Sequence, residues 1–211
     1  MTAAVSAGQN PADRAASSPV VEALFDGRPV LLVGPDTGLV LLAAATATTA
    51  GVAWAVRHST GLLRAVVEPA RARELRLPSM GGVDLGRRGP QQTVAVDAVG
   101  TGTGISAASR AQTLRVLADP TTRPEDLAAP GHVLVELAGS EVRPTAAGAV
   151  AEAAVRLCAR VGLPAVAVLA DVLDEAGEPL DPARMRELAD AESLPLLTVP
   201  VPVPTLERTS A

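Results

Sequence analysis

"LLVGPDTGLVLLAAA", residues Leu31–Ala45, is two apolar runs joined by a Gly-Pro-Asp-Thr-Gly turn. Each run is brief and bounded by turn formers, so each reads as a buried strand, and so short a link makes the pair a tight hairpin. The turn holds a single carboxylate, Asp36.

Reading outward from this hairpin, Val20–Asp26 is expected to be a short helix, and Thr46 or Thr48 caps a helix running through Trp54 towards His58. "LLRAVVEP" is a strand, "EPARARELRLP" a short helix stopped near Pro78, and "GGVDLGRRGP" a polar, Gly-rich loop. "QQTVAVDAV" alternates as a half-buried strand does. "TGTGISAASRAQTLRVLADP" turns through glycines into a helix whose Ala108, Ala111, Leu114 and Leu117 recur at helical spacing and which ends before Pro120. "GHVLVELAG" is a strand. Val150, Ala154, Leu157 and Val161 mark one face of a helix over Ala149–Val161. "AVAVLADVLD" is a strand, Asp181 and Pro182 start a helix through Met185–Ala191, and "LPLLTV" is the last strand. Strands and helices mix without a strict βαβ repeat, which points to an α/β (α+β) fold, one domain with a mixed sheet over residues 19–200. Residues 1–18 read as a disordered leader and residues 201–211 as a mobile tail.

Composition narrows the function classes. A chain of 211 residues suits one domain with a real core. With one Phe, one Trp and no Tyr, that core must be built from Ala, Val and Leu. Few aromatics and a net charge of −5 leave neither base-stacking platforms nor a basic stripe, so no nucleic-acid partner is expected. Every one of the 18 positive side chains is Arg, which excludes Schiff-base chemistry on a Lys. The lone Cys158 points to a reducing compartment, hence a cytoplasmic location. Gly38–Val56 carries no charge, but its Thr and Ala content suits a membrane poorly, and no membrane span is expected.

Six segments, in this order and at these spacings, carry a family resemblance: "VRHSTGLL" (Val56–Leu63), "LRLPSM" (Leu75–Met80), "TVAVDA" (Thr93–Ala98), "TGISAASRAQTLRVLADP" (Thr103–Pro120), "PGHVL" (Pro130–Leu134) and "EAAVRLCARVGLPAVAVLAD" (Glu152–Asp171). Together they resemble 3,4-dihydroxy-2-butanone-4-phosphate synthase, a family that makes the four-carbon precursor of riboflavin from ribulose 5-phosphate. The resemblance implies a single α/β domain, a homodimer with active sites near the subunit interface, and a divalent ion, usually magnesium, that holds an enediolate while formate is lost. In the family the ion's ligands come chiefly from an acidic Arg-Glu-x-Glu-Gly-Asp loop after the first strand and from the His of a Gly-His-Thr-Glu helix start.

This chain departs at both places. "GPDTGL" stands for the acidic loop and is roughly four residues shorter, with Leu39 where the motif's Asp belongs. "AVAE" stands for Gly-His-Thr-Glu, so Val150 takes the His position, Ala151 the Thr position, and only Glu152 is kept. The Arg just before that motif is missing unless a shift brings in Arg143. The family's Cys-Glu pair appears as Ala170-Asp171, and its Cys after Ser-Gly-Leu-x as Arg64.

The candidate catalytic residues are therefore His132, Asp171 and Glu152. His132 matches a family His and suits acid–base work near neutral pH, the alternative being a structural His hydrogen-bonded beneath a loop. Asp171 is a catalytic acid or a strand-end turn former. The rim "RHSTG" offers Arg57, His58, Ser59 and Thr60 for substrate binding, although a His at a helix C-terminus is favourable without any ligand. Thr103, Gly104 and Ser106 resemble a phosphate cradle at a helix start, and Arg110 joins them as an anion binder, if it is not merely solvated or paired. Cys158 reads as a small core residue.

No metal site and no cofactor are expected. The preferred function is a metal-independent enzyme repurposed to act on a small metabolite, with a homodimer as its assembly. Two alternatives stand beside it: a non-catalytic member that binds a ligand or a partner synthase, and an active riboflavin-pathway lyase.

Overall fold

A computed structural model describes residues 18–34, 38–80, 91–139 and 146–199. The expected leader to residue 17, Asp36, the Gly81–Pro90 loop, Arg143 and the tail from residue 201 lie outside the described residues. In chain order the elements are α1 (Pro19–Phe25), β1 (Val30–Val33), β2 (Gly38–Ala43), α2 (Thr49–Arg57), β3 (Arg64–Val67), α3 (Pro69–Glu74), β4 (Gln91–Ala98), α4 (Ala107–Ala118), β5 (Leu127–Leu137), α5 (Ala146–Arg160), β6 (Val166–Asp171), α6 (Pro182–Glu192) and β7 (Leu196–Thr198). The fold class is as expected: one α/β domain on a mixed sheet.

The sheet runs β4-β5-β3-β6-β2-β1-β7. The hairpin pairs Val33 with Gly38 and Leu32 with Leu39. Parallel pairing is confined to β3 with β5 and β1 with β7, and the other neighbours are antiparallel. Both faces of the central strands are covered, which is why they read as unbroken apolar runs rather than alternating ones. On one face Leu31, Val40, Leu42, Ala65, Val135 and Val168 meet α2, α4 and α6 through Val52, Leu114 and Met185. On the other, Leu32, Leu39, Leu41, Val66 and Leu169 meet α1 and α5 through Leu24, Val150, Ala154 and Cys158. Cys158 is fully buried there, as its apolar setting in the sequence suggested.

Local chemistry decided several boundaries. Thr48, not Thr46, caps α2, its Oγ1 accepting from the Gly51 N–H at 3.0 Å. The Thr46 hydroxyl instead donates to the Leu24 carbonyl, and Ala44–Thr46 forms a 3-10 turn that ends the second strand at Ala43. β5 begins at Leu127, ahead of the "GHVLVELAG" run, because Leu127 and Ala128 pair with Ala98 and Asp97. "LAAP" carries no alternation, so only its partner strand reveals it. Gly38–Val56 divides between β2 and α2, and among the described residues no helix is long and apolar enough to cross a membrane.

Candidate functional site

Side chains alternate along a strand. Since Ala65 and Val67 face the α4 side and Val66 faces α5, Arg64 at the start of β3 points to the α5 side. By the same alternation Glu136 of β5 and Asp171 at the end of β6 share that face. Three charged side chains are thus set on one sheet face: Arg64 Nη1 donates to Asp171 Oδ2 at 2.5 Å, and Arg64 Nε lies 3.3 Å from Glu136 Oε2. The Glu136 side chain is only 4% exposed, against 21% for Arg64 and 35% for Asp171. A carboxylate buried so far needs a compensating cation, and Arg64 supplies it. Asp171, an expected catalytic acid, is therefore half of an ion pair. Beside it in the register of β2 and β6 stands Leu39, 2% exposed, while Val150 is fully buried against the same face.

A second cluster lies where β4 meets β5. The Asp97 carboxylate takes two hydrogen bonds from one residue: Oδ1 from the His132 backbone N–H at 3.0 Å, and Oδ2 faces His132 Nδ1 at 2.8 Å. The His132 side chain is 40% exposed and that of Asp97 13%. The β4–β5 pairing shifts register between Thr93 and Asp97, and this irregularity sets Asp97 beside a residue 35 positions along the chain. His132 is consequently not a lone imidazole but one partnered by an acid.

The two loops of the expected rim are held mainly by their own hydrogen bonds. His58 ends α2 and stacks on Trp54, ring centroids 4.3 Å apart at 15°. The Ser59 hydroxyl accepts from Gly61 N–H, that of Thr60 from Leu62 N–H, and the Thr60 N–H donates to the Asp171 carbonyl, which ties this loop to the end of β6. Arg57 and Thr103 are exposed. Ser106 caps α4, its hydroxyl oxygen accepting from the Ser109 N–H at 3.0 Å, and the Gly104 N–H is taken by the Thr101 carbonyl. Arg110 is not solvated and among the described residues has no ion-pair partner at contact distance: it is 8% exposed and donates from Nη1 to the Gly61 carbonyl, so it bridges the two loops. Burial lowers its pKa, and the nearby Asp97 carboxylate pushes it back up.

Glu152 stands apart. It pairs with Arg156 one helical turn on and lines a groove of about 830 Å³ bounded by α1, α5, β1 and β7. Its carboxyl carbon would lie 3.8 Å from a Cβ on Gly139. Leu137, the last residue of β5, is roughly 17 Å from His132 at the usual strand rise, and Gly139 lies in the turn just beyond it. Of the three expected catalytic residues, His132 and Glu152 are thus not in one cluster.

Three members of these clusters escaped the sequence reading. Asp97 sits in a quoted segment, and the alternation of "TVAVDA" sets it off from Val94 and Val96, a signal that it faces something polar. Glu136 interrupts the apolar "VLVEL" and could have been flagged as a buried acid needing a cation. The pairing of Arg64 with residues 72 and 107 positions away had no local signal, because only sheet order brings β3, β5 and β6 together.

Comparison with known proteins places the chain among relatives. A family model described as 3,4-dihydroxy-2-butanone 4-phosphate synthase matches residues 18–201. The riboflavin biosynthesis protein RibBA of Salinispora arenicola is 38% identical over 178 residues, 82% of this chain and 42% of that protein. The 3,4-dihydroxy-2-butanone 4-phosphate synthase of Chromobacterium violaceum is 32% identical over 198 residues, 90% of this chain and 93% of that one. A crystal structure of 3,4-dihydroxy-2-butanone 4-phosphate synthase with two magnesium ions superposes with a TM-score of 0.75 at 32% identity, covering 85% of this chain and 90% of that chain. The chain spans less than half the length of the RibBA relatives.

Proposed function

Because the chain belongs to the 3,4-dihydroxy-2-butanone 4-phosphate synthase family, we propose that it is a member that has given up the magnesium-dependent lyase reaction and acts on a small metabolite by imidazole acid–base chemistry centred on His132. The observation that carries this reading is the Arg64–Asp171 ion pair, with Glu136 at the other edge of the same guanidinium. A hard divalent ion takes six or more oxygen ligands, carboxylates foremost. Here the two acids that share the sheet face are both engaged by one guanidinium, which occupies oxygens that a metal ion would need. Leu39 and Val150, at the positions where the family motifs have Asp and His, are apolar and buried. Among the described residues no group of three His, Cys, Asp or Glu side chains is arranged to hold a metal ion. The described residues do not fit magnesium, so no step is routed through it. What the chain retains is a partly exposed imidazole with a carboxylate partner, a pair suited to moving a proton at neutral pH.

The test uses ribulose 5-phosphate in two arms. With excess magnesium, and an authentic synthase as control, no formate release is expected; release at a rate near the control overturns the reading in favour of an active lyase. In D2O with EDTA, deuterium uptake into the carbon skeleton is followed by NMR, since acid–base chemistry without the ion ends at proton exchange. Uptake that disappears in His132→Ala supports the reading. Absence of both formate and uptake removes it, and a non-catalytic ligand-binding role takes its place.

The same reading includes a homodimer. Leu62 and Ile105, on the two loops that flank the site, are 59% and 54% exposed, apolar surface that a second copy would cover. Light scattering during size exclusion decides: a monomer at micromolar concentration removes this part.

A further inference from the structure

We infer that Asp97 is the positioning residue of an Asp97–His132 dyad, fixing the neutral imidazole with its proton on Nδ1 so that Nε2 is left as the proton acceptor. The inference deepens the acid–base reading of His132, on which it rests for its purpose but not for its test.

The argument is one of donors and acceptors. A carboxylate only accepts hydrogen bonds, and each Asp97 oxygen is engaged by His132, Oδ1 by the backbone N–H and Oδ2 by the ring. The ring nitrogen facing Oδ2 must therefore be the one that carries hydrogen, and in the neutral ring Nε2 then has a free lone pair. Unconstrained imidazoles favour the opposite tautomer, with hydrogen on Nε2, so the carboxylate reverses an intrinsic preference.

The surrounding chain is built closely around this acid. Gly104, at φ +75°, lies so near that a Cβ there would sit 2.0 Å from Asp97 Oδ2, and a Cβ on Gly131 would sit 2.1 Å from the Val96 carbonyl carbon. Only glycine admits these approaches. They sequester the carboxylate while the ring reaches outward, 13% against 40% exposed. Arg110 lies close enough to sense the carboxylate and keeps a guanidinium charge near it. A proton taken up at Nε2 gives an imidazolium whose charge falls on the Nδ1–H···Oδ2 bond, and it leaves by the same atom.

The two-fold engagement makes Asp97→Asn a sharp probe. The amide has one acceptor oxygen and one donor nitrogen. With its oxygen committed to the His132 backbone N–H, its NH2 group faces Nδ1, which must become an acceptor, and the ring proton moves to Nε2. A positioning acid converted to amide is known to impose the wrong tautomer in this way.

The protein has two histidines, so long-range proton–nitrogen NMR of the 15N-labelled full chain reads each ring, with His58→Gln for assignment. At about pH 8.5, above the ordinary imidazole range, His132 is expected in the Nδ1–H form by at least about tenfold, the worth of one charge-assisted hydrogen bond. In Asp97→Asn the ratio is expected to invert by a similar factor, with backbone amide shifts distant from the loop unchanged. A wild-type His132 in the Nε2–H form overturns the dyad outright, even if the variant fails to fold. A tautomer that Asp97→Asn leaves unaltered overturns it as well. Neither result depends on turnover: failure of the deuterium assay with an Nδ1–H ring removes the enzymatic reading and leaves the dyad, while uptake by a protein with an Nε2–H ring does the reverse.

Discussion

Arg64 donates from Nη1 to Asp171 Oδ2 at 2.5 Å, joining the first residue of β3 to the last of β6 at one end of the sheet. The contact brings together two residues 107 positions apart in the chain. The guanidinium also lies 3.3 Å from Glu136 of β5, so one cation serves carboxylates on two strands.

That sharing has a measurable consequence. Arg64→Ala takes from the buried Glu136 carboxylate the guanidinium that lies 3.3 Å away, and breaking a buried ion pair from one side costs several kcal/mol. With Arg64 partly solvated, a loss of about 2–4 kcal/mol in urea denaturation is expected. Adding Glu136→Gln to Arg64→Ala should recover part of the loss, because a buried charge goes with it. A single variant as stable as the parent would mean that Glu136 does not rely on Arg64.

Gly51 predicts a reversal of a common rule. Glycine inside a helix costs about 1 kcal/mol relative to alanine, so Gly51→Ala ought to stabilise α2. Here a Cβ at residue 51 would lie 2.4 Å from the Gly27 carbonyl oxygen, a backbone atom that cannot swing aside. Gly51→Ala is therefore expected to lower the thermal midpoint by several degrees, a loss of about 1–3 kcal/mol from overpacking. A raised midpoint would contradict this close approach of α2 to the α1–β1 turn.

Acid sensitivity follows from two surface carboxyls. Backbone N–H groups of Arg184 and Ala183 hold the Asp181 pKa below its usual value, and the Glu178 N–H and the Arg184 guanidinium do the same for Asp174. A carboxyl whose folded pKa is depressed takes up fewer protons folded than unfolded, so its stabilisation is complete above the unfolded value near 4 and is lost as pH falls through the folded one. Urea midpoints should decline below about pH 4, and more shallowly in an Asp174→Asn, Asp181→Asn double variant. Parallel pH profiles for the two proteins would remove these groups from the account.

Cys158 provides a probe of opening. Burial in the α5 face pushes its thiol pKa up to about 12, so almost no thiolate exists at neutral pH and the side chain is enclosed. Thiol reagents at pH 8 should label it at least about a hundredfold more slowly in the native protein than in guanidinium chloride. Rapid native labelling would mean that α5 detaches readily from the sheet.

Much of this protein was legible in its residues. Apolar runs too short for helices, a cap at Thr46 or Thr48, the Asp181-Pro182 helix start, and the Pro and Gly stops mark most elements, because strand and helix signals act over a few residues. Composition excluded a lysine Schiff base without any coordinates, because the chain has no Lys, and the ordered motifs identified the family. What tertiary structure alone decided is which charges meet. The β5–β3–β6 order brings Arg64 to Glu136 and Asp171, and the β4–β5 register irregularity brings Asp97 to His132. It also separates Glu152 from His132, which the motif comparison had grouped. These pairings depend on sheet order and register, which are fixed by packing between segments distant in the chain, and no local propensity encodes them.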